Sequence, residues 1–190
     1  MTSRARSVEE TRRRILTASV GLHSERLAAD IGLDDVAARA GVSVQTVLRH
    51  FGSRASLVEA SIEHARAEVE EERRSPVGDV DAAVRTIVDH YEQRGDAVIV
   101  MLAQEPHEEL LRRVTEDGRR MHRGWVEEVF APYVDLAADP DELVDLLVVA
   151  TDVYTWKLLR RDRGLARDLT ENRIRTLVRT LLGADGPADH

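Results

Sequence analysis

The sequence predicts an all-α protein, with a small N-terminal domain of three helices and a larger C-terminal helical domain. Three observations carry this. The 190 residues hold only five prolines and few aromatics (two Trp, three Tyr, two Phe). Long stretches rich in Ala, Leu, Glu and Arg favour helix, and no run alternates apolar and polar residues as a strand would.

The elements follow in order. Ile15, Ala18 and Leu22 keep helical spacing in a first helix from Val8 to about Glu25, for which Ser7 and Glu10 offer a capping box. Short helices are expected over 33–40 and 44–51, joined by Gly41-Val42-Ser43, with Gly52 and Ser53 ending one helix and capping the next. A fourth helix from Arg54 carries Leu57, Ala60, Ser61, His64 and Ala65 on one side, then enters the charge run EVEEERR and the breaker Ser75-Pro76-Val77-Gly78. The domain joint is placed at this breaker, and the chain is divided into an N-terminal domain, 1–54, and a larger C-terminal domain, 55–190, the fourth helix belonging to both. Further helices are expected over 80–93, ended by Gly95, from Asp96 toward Pro106, over 107–113 and 115–130, over 141–160, and over 170–182.

Composition bounds the chemistry. With no cysteine there is no disulfide, thiolate nucleophile or cysteine zinc site, which fits a reducing cytoplasm. The charged start and the lack of a long apolar run predict a soluble, unexported protein without a membrane span. The net charge of −8 hides an asymmetry: residues 1–54 hold nine arginines against six acids, a net of +3, which leaves −11 for the rest. A basic head on an acidic body suits a phosphate-binding module joined to a different working domain.

The informative stretch is DDVAARAGVSVQTVLRHF, residues 34–51. It reads as a helix-turn-helix. Val36 and Ala37 pack inward, Ala40 lets helices cross closely, Gly41 supplies a left-handed turn and Val42 plugs the core. Ser43 caps the second helix, whose N-terminus attracts a DNA phosphate. Val44, Gln45, Thr46, Arg49 and His50 are expected outward, able to meet thymine methyls, purine edges and phosphates in a major groove, while Val47 and Phe51 face the core. Arg4, Arg6 and Arg12-Arg13-Arg14 either reach a minor groove or form a solvated helix start.

The segments ILTASVGL, DDVAARAGVS, TVLRHF and GSRASL resemble the first four helices of the TetR family in order and spacing, and VYTWKLLRRDRGLARDLTENRIRTLV is similar to the C-terminal segment of many such regulators. The specific resemblance covers about 8–65. It implies that Thr46, His50 and Arg54 touch the DNA backbone, with Val44, Gln45, Arg49 and Arg39 near bases. Four residues depart from the family pattern: His23 for Phe, Leu27 for Gly, Gly32 for a capping Thr or Ser, and Leu48 for Tyr, which removes a phosphate-donating hydroxyl.

The resemblance also implies a ligand pocket among the middle helices, for which the sequence offers Met101, Gln104, His107, His122, Trp125, Val129, Phe130 and Tyr154. Apolar residues at helical spacing are more often core, although Trp and Tyr carry polar handles that suit a pocket wall. The acidic body favours a cationic ligand. The apolar face of 141–160 is broader than one core needs, and with the stripe of 170–182 it predicts a homodimer interface of Leu143, Leu146, Ala150, Val153, Lys157, Ile174, Leu177, Val178 and Leu181. No metal or cofactor is expected, nor a catalytic constellation: His107-Glu108 lacks a second His at metalloprotease spacing, and no Gly-rich phosphate loop is present. The sequence thus predicts a ligand-responsive repressor of operator DNA. A helical adaptor and a small-molecule enzyme are the competing readings.

Overall fold

A computed structural model describes residues 3–26 and 30–183, among which there is no strand. The chain divides into two compact units, Met1–Glu70 and Glu71–His190.

The first unit contains α1 (Ser3–Glu25), α2 (Leu33–Ala40), α3 (Val44–Phe51) and most of α4 (Arg54–Glu72). Its core gathers Ile15, Leu16, Ala18, Leu22, Ile31, Val36, Ala37, Ala40, Val47 and Leu57. Leu57 is sealed in this core, so the start of α4 belongs to the head and the division falls beyond residue 54. Helix α1 begins before the expected Ser7 cap. Ser7 lies inside the helix, and its carbonyl accepts from Thr11 Oγ1 at 2.9 Å.

The second unit contains α5 (Val80–Gln104), α6 (Glu109–Val129), α7 (Ala131–Val134), α8 (Pro140–Ala150), α9 (Val153–Lys157), a π-helical turn (Leu158–Asp162) and α10 (Arg167–Leu181). Helices α5, α6, α8 and α10 wrap a core that includes Val84, Ile87, Tyr91, Trp125, Val126, Phe130, Leu147, Trp156, Ile174 and Val178. Helix α5 runs straight through Gly95, where a break was expected. The reason is packing: the Trp156 indole lies against the glycine, and a β-carbon there would stand 2.5 Å from Trp156 Cζ3. Helix α6 likewise joins what reads in sequence as two helices. The reverse happens over 141–160. Thr151 ends α8, its Oγ1 donating to the Leu147 carbonyl at 2.7 Å, and Asp152 caps α9 by accepting from the Tyr154 N–H at 2.8 Å. No described helix is long and apolar enough to cross a membrane.

Candidate nucleic-acid interface

The turn between α2 and α3 is built by two residues. Gly41 adopts φ 65°, a conformation costly for residues with a β-carbon, and closes α2 as its N–H donates to Ala38. Ser43 then caps α3, its hydroxyl oxygen accepting from the Thr46 N–H at 3.1 Å and lying 3.0 Å from Thr46 Oγ1. This cap fixes where α3 starts.

Because α3 starts there, Val44, Val47 and Phe51 fall on the core side. Gln45, Leu48 and Arg49 fall together on the solvent side, three and four residues apart. Arg49 makes no ion pair among the described residues. Val44 is therefore corrected: half-buried against the head core, it is not one of the outward residues. Thr46 and His50 are also half-buried, and the His50 ring is 6.2 Å from Phe51. Leu48, read from sequence only as a lost hydroxyl, is an exposed apolar group of the kind that meets a thymine methyl. Its spacing from Gln45 was the available signal.

Two arginines expected at DNA are tied into the head. Arg39 makes a bidentate pair with Glu25, at 2.6 and 2.7 Å, and this bond holds the Glu25 carboxyl below its ordinary range. The pair links α2 to the end of α1, and both side chains remain partly exposed. Arg54 donates from Nε and Nη2 to the Ile31 carbonyl at 3.2 and 3.1 Å, although the residue remains exposed. Arg12 packs its guanidinium over Phe51 at 5.2 Å, whereas Arg6, Arg13 and Arg14 are exposed and have no ion pair among the described residues.

Two of the family departures, Gly32 and His23, have local partners. Gly32 has no cap hydroxyl, yet its N–H donates to Asp35 Oδ2 at 2.8 Å. That bond, with Arg26 on the other oxygen, keeps the Asp35 carboxyl below its usual range. Glycine in a cap position costs only a few tenths of a kcal/mol relative to Ser or Asn. His23 turns back on α1, its Nδ1 donating to the Ser19 carbonyl at 2.8 Å. Leu27 and the side chain of Arg4 lie outside the described residues.

In the second unit the expected pocket residues do not converge. His122, Trp125, Val129 and Phe130 are buried in the core, Met101 and Gln104 are half-buried near the end of α5, and His107 and Tyr154 are exposed. Gln104 Nε2 donates to the Val100 carbonyl at 3.1 Å. An open cleft of about 580 Å³, lined by Val77, Asp79, Asp81, Tyr133 and Arg179 among others, includes none of them. Its acid Asp81 is already paired with Arg175 and Arg179. What the sequence hides is a polar knot in the core: Arg73, His90, Tyr91 and His122 are all buried. Arg73 sits in a charge run that reads as solvated.

The expected interface set also divides. Ala150, Val153, Ile174 and Val178 pack into their own core, which removes them from any partner surface. Leu143, Lys157 and Leu181 are half-buried, and Lys157 is held by Asp162. Leu146 and Leu177 are exposed, at 42% and 46%, and are joined by Val149 at 64%, which had not been singled out. Helices α8 and α10, which bear them, pack on each other.

Residues 15–61 match the model of the family described as bacterial regulatory proteins, tetR family. The chain is 30% identical over 142 residues to the HTH-type transcriptional repressor LfrR of Mycolicibacterium smegmatis, spanning 64% of this chain and 74% of that protein. A TetR-family regulator from Streptomyces coelicolor has a similar structure, with a TM-score of 0.66 and 25% identity over 93% of this chain and 96% of that one. A TetR-like regulator from Rhodococcus shares the fold at a TM-score of 0.61 and 18% identity, over 91% and 96% of the two chains. A capped helix-turn-helix at the N-terminus, an all-helical body and this likeness agree, and the chain belongs to the TetR family of bacterial transcriptional regulators.

Proposed function

We propose that the chain is a repressor that binds operator DNA as a homodimer through α3 and leaves it when a small molecule binds the second unit. The observation that carries the reading is the face of α3 on which Gln45, Leu48 and Arg49 stand clear of the core behind a preorganised Ser43 cap. Gln45 suits an adenine edge, Arg49 a guanine edge or a phosphate, and Leu48 a thymine methyl. The repressor sense is supported by the name of the Mycolicibacterium relative.

One head of this size reads only a few base pairs, so useful specificity needs two. The exposed Leu146, Val149 and Leu177 supply an apolar surface for pairing α8 and α10 with a second copy. A route for the ligand's effect is α4, a helix without interruption from Arg54 to Glu72. A ligand acts only through unequal affinity for two arrangements.

Selection of bound sequences from random duplexes, then anisotropy titration of the winner, tests the reading. Gln45→Ala and Arg49→Ala should lose preference for the selected site over random DNA, and small-molecule release should appear in the same assay. Equal affinity for selected and random DNA would point to a helical adaptor or an enzyme instead.

A further inference from the structure

Arg73, the residue that follows α4, is 8% exposed, and its Nε is sealed without a partner. It makes no ion pair among the described residues. The acids beside it are committed elsewhere, Glu71 to Arg74 and Glu72 to Arg94. Asp152 is near enough to feel its charge but spends Oδ1 on the α9 cap. The guanidinium carbon lies 5.7 Å from the Tyr91 ring centroid, and the backbone carbonyl of Arg73 accepts from Trp125 Nε1 at 2.8 Å. His122 stacks on Trp125 with centroids 5.8 Å apart.

His122 is a second unfinished group. Its Nε2 faces the Val148 carbonyl at 3.4 Å and Thr151 Oγ1 at 3.2 Å. Thr151 gives its own hydrogen to the Leu147 carbonyl, so Nε2 carries the imidazole proton. Nδ1 is therefore left as a sealed acceptor with no donor. Burial, and then the Arg73 charge, push this histidine down to about 4, so it is neutral at physiological pH. A buried cation without a direct ion pair is expensive, and so is an orphaned acceptor. The first of these costs is removed by an anionic guest.

We infer that the effector is an organic anion, a carboxylate on an apolar body, whose negative group pairs with Arg73 between Tyr91 and Trp125. This rests on the reading of the second unit as the effector-binding part, and it opposes the cationic preference suggested by the net charge. That charge comes largely from acids outside this knot, many already paired with arginines. The rings pack closely, so entry requires Trp125 and His122 to part. Parting them breaks the Trp125 bond to Arg73, the residue that follows α4, which gives the ligand a grip on the end of that helix.

The test uses three probes of one shape, octanoate, octanamide and octylammonium, titrated against the full chain by tryptophan fluorescence and thermal shift. Octanoate should bind at least about tenfold more tightly than the other two, the scale of one charge-assisted hydrogen-bonded pair. In Arg73→Met and Arg73→Gln that preference should vanish, and in Arg73→Lys it should persist in part. Three probes bound alike, no saturable octanoate binding, a preference that survives Arg73→Met, or failure of both uncharged variants to fold overturns the inference. Octanoate should also release operator DNA. DNA released by a neutral or cationic compound equally from wild type and Arg73→Met sinks the anion and keeps the ligand-responsive repressor. Arg73-dependent octanoate binding with no release by any compound does the reverse.

Discussion

Gly95→Ala tests how the second unit is packed. In a helix interior this change ordinarily stabilises by about 1 kcal/mol, because glycine costs more backbone entropy than alanine. Here the new methyl would stand 2.5, 2.7 and 3.0 Å from Cζ3, Cη2 and Cε3 of Trp156, well inside van der Waals contact. The indole has nowhere cheap to go. It is fully buried, its Nε1 donates to Glu92 Oε1 at 2.9 Å, the Arg161 guanidinium lies 4.5 Å from its ring, and Tyr91 lies 5.9 Å away. With contacts this short, the cost lies toward the upper end of the about 1–3 kcal/mol typical of overpacking and outweighs the helix gain. A net loss of about 1–2 kcal/mol should lower Tm by about 2–8 °C in a chain of this size. The clashing atoms all belong to the six-membered ring, so in a Trp156→Phe background the same Gly95→Ala should be neutral or stabilising. Urea denaturation of the four proteins, followed by far-UV circular dichroism, gives the coupling, expected at about 2 kcal/mol. Gly95→Ala as stable as wild type, or an equal loss in both backgrounds, would refute the close approach of α5 to Trp156.

Acid should destabilise the second unit. Burial first, and the Arg73 charge second, hold His90 down to about 3 and His122 to about 4, against 6.5 for an unperturbed histidine. The unfolded chain takes up these protons near pH 6.5 and the folded chain does not, so stability is lost as pH falls below 6.5, by about 2 kcal/mol per histidine at pH 5. His122→Asn should flatten the profile of urea midpoint against pH; equal slopes would contradict the assignment. Ser43→Ala should cost about 1 kcal/mol of head stability by thermal melting and weaken operator binding, since the cap sets the start of α3. Leu146→Glu with Val149→Glu should give a monomer of unchanged helical content that loses tight DNA binding; an unchanged mass in light scattering would place the dimer surface elsewhere.

The helix-turn-helix was legible because its determinants are local. A glycine at a left-handed turn and a serine cap are readable without the rest of the chain, and they bring the boundaries of α2 and α3 with them. Side-chain destinations were less so. The pairing of Arg39 with Glu25 was not legible, because it depends on where the end of α1 meets α2. The body failed in an instructive way. Gly95 reads as a helix breaker, but its small size serves a tryptophan 61 positions later in the chain. On α8 and α10 the apolar stripes were seen, yet periodicity does not say which half of a broad stripe the subunit's own core consumes. That core takes Ala150, Val153, Ile174 and Val178. Arg73 lay hidden because a basic residue in a run of charges is usually solvated, and its burial depends on Tyr91 and Trp125 closing over it.

We propose that Gln45, Leu48 and Arg49 form the sequence-reading face of α3. It is tested most directly by measuring affinity for the selected operator and for random duplex across a salt series, for wild type and Arg49→Ala. Wild type should show a steep salt dependence and strong preference for the operator. Arg49→Ala should lose most of that preference, by about 1–3 kcal/mol, while keeping most of its affinity for random DNA. An Arg49→Ala protein that weakens on both duplexes by the same factor, with discrimination intact, would contradict the account.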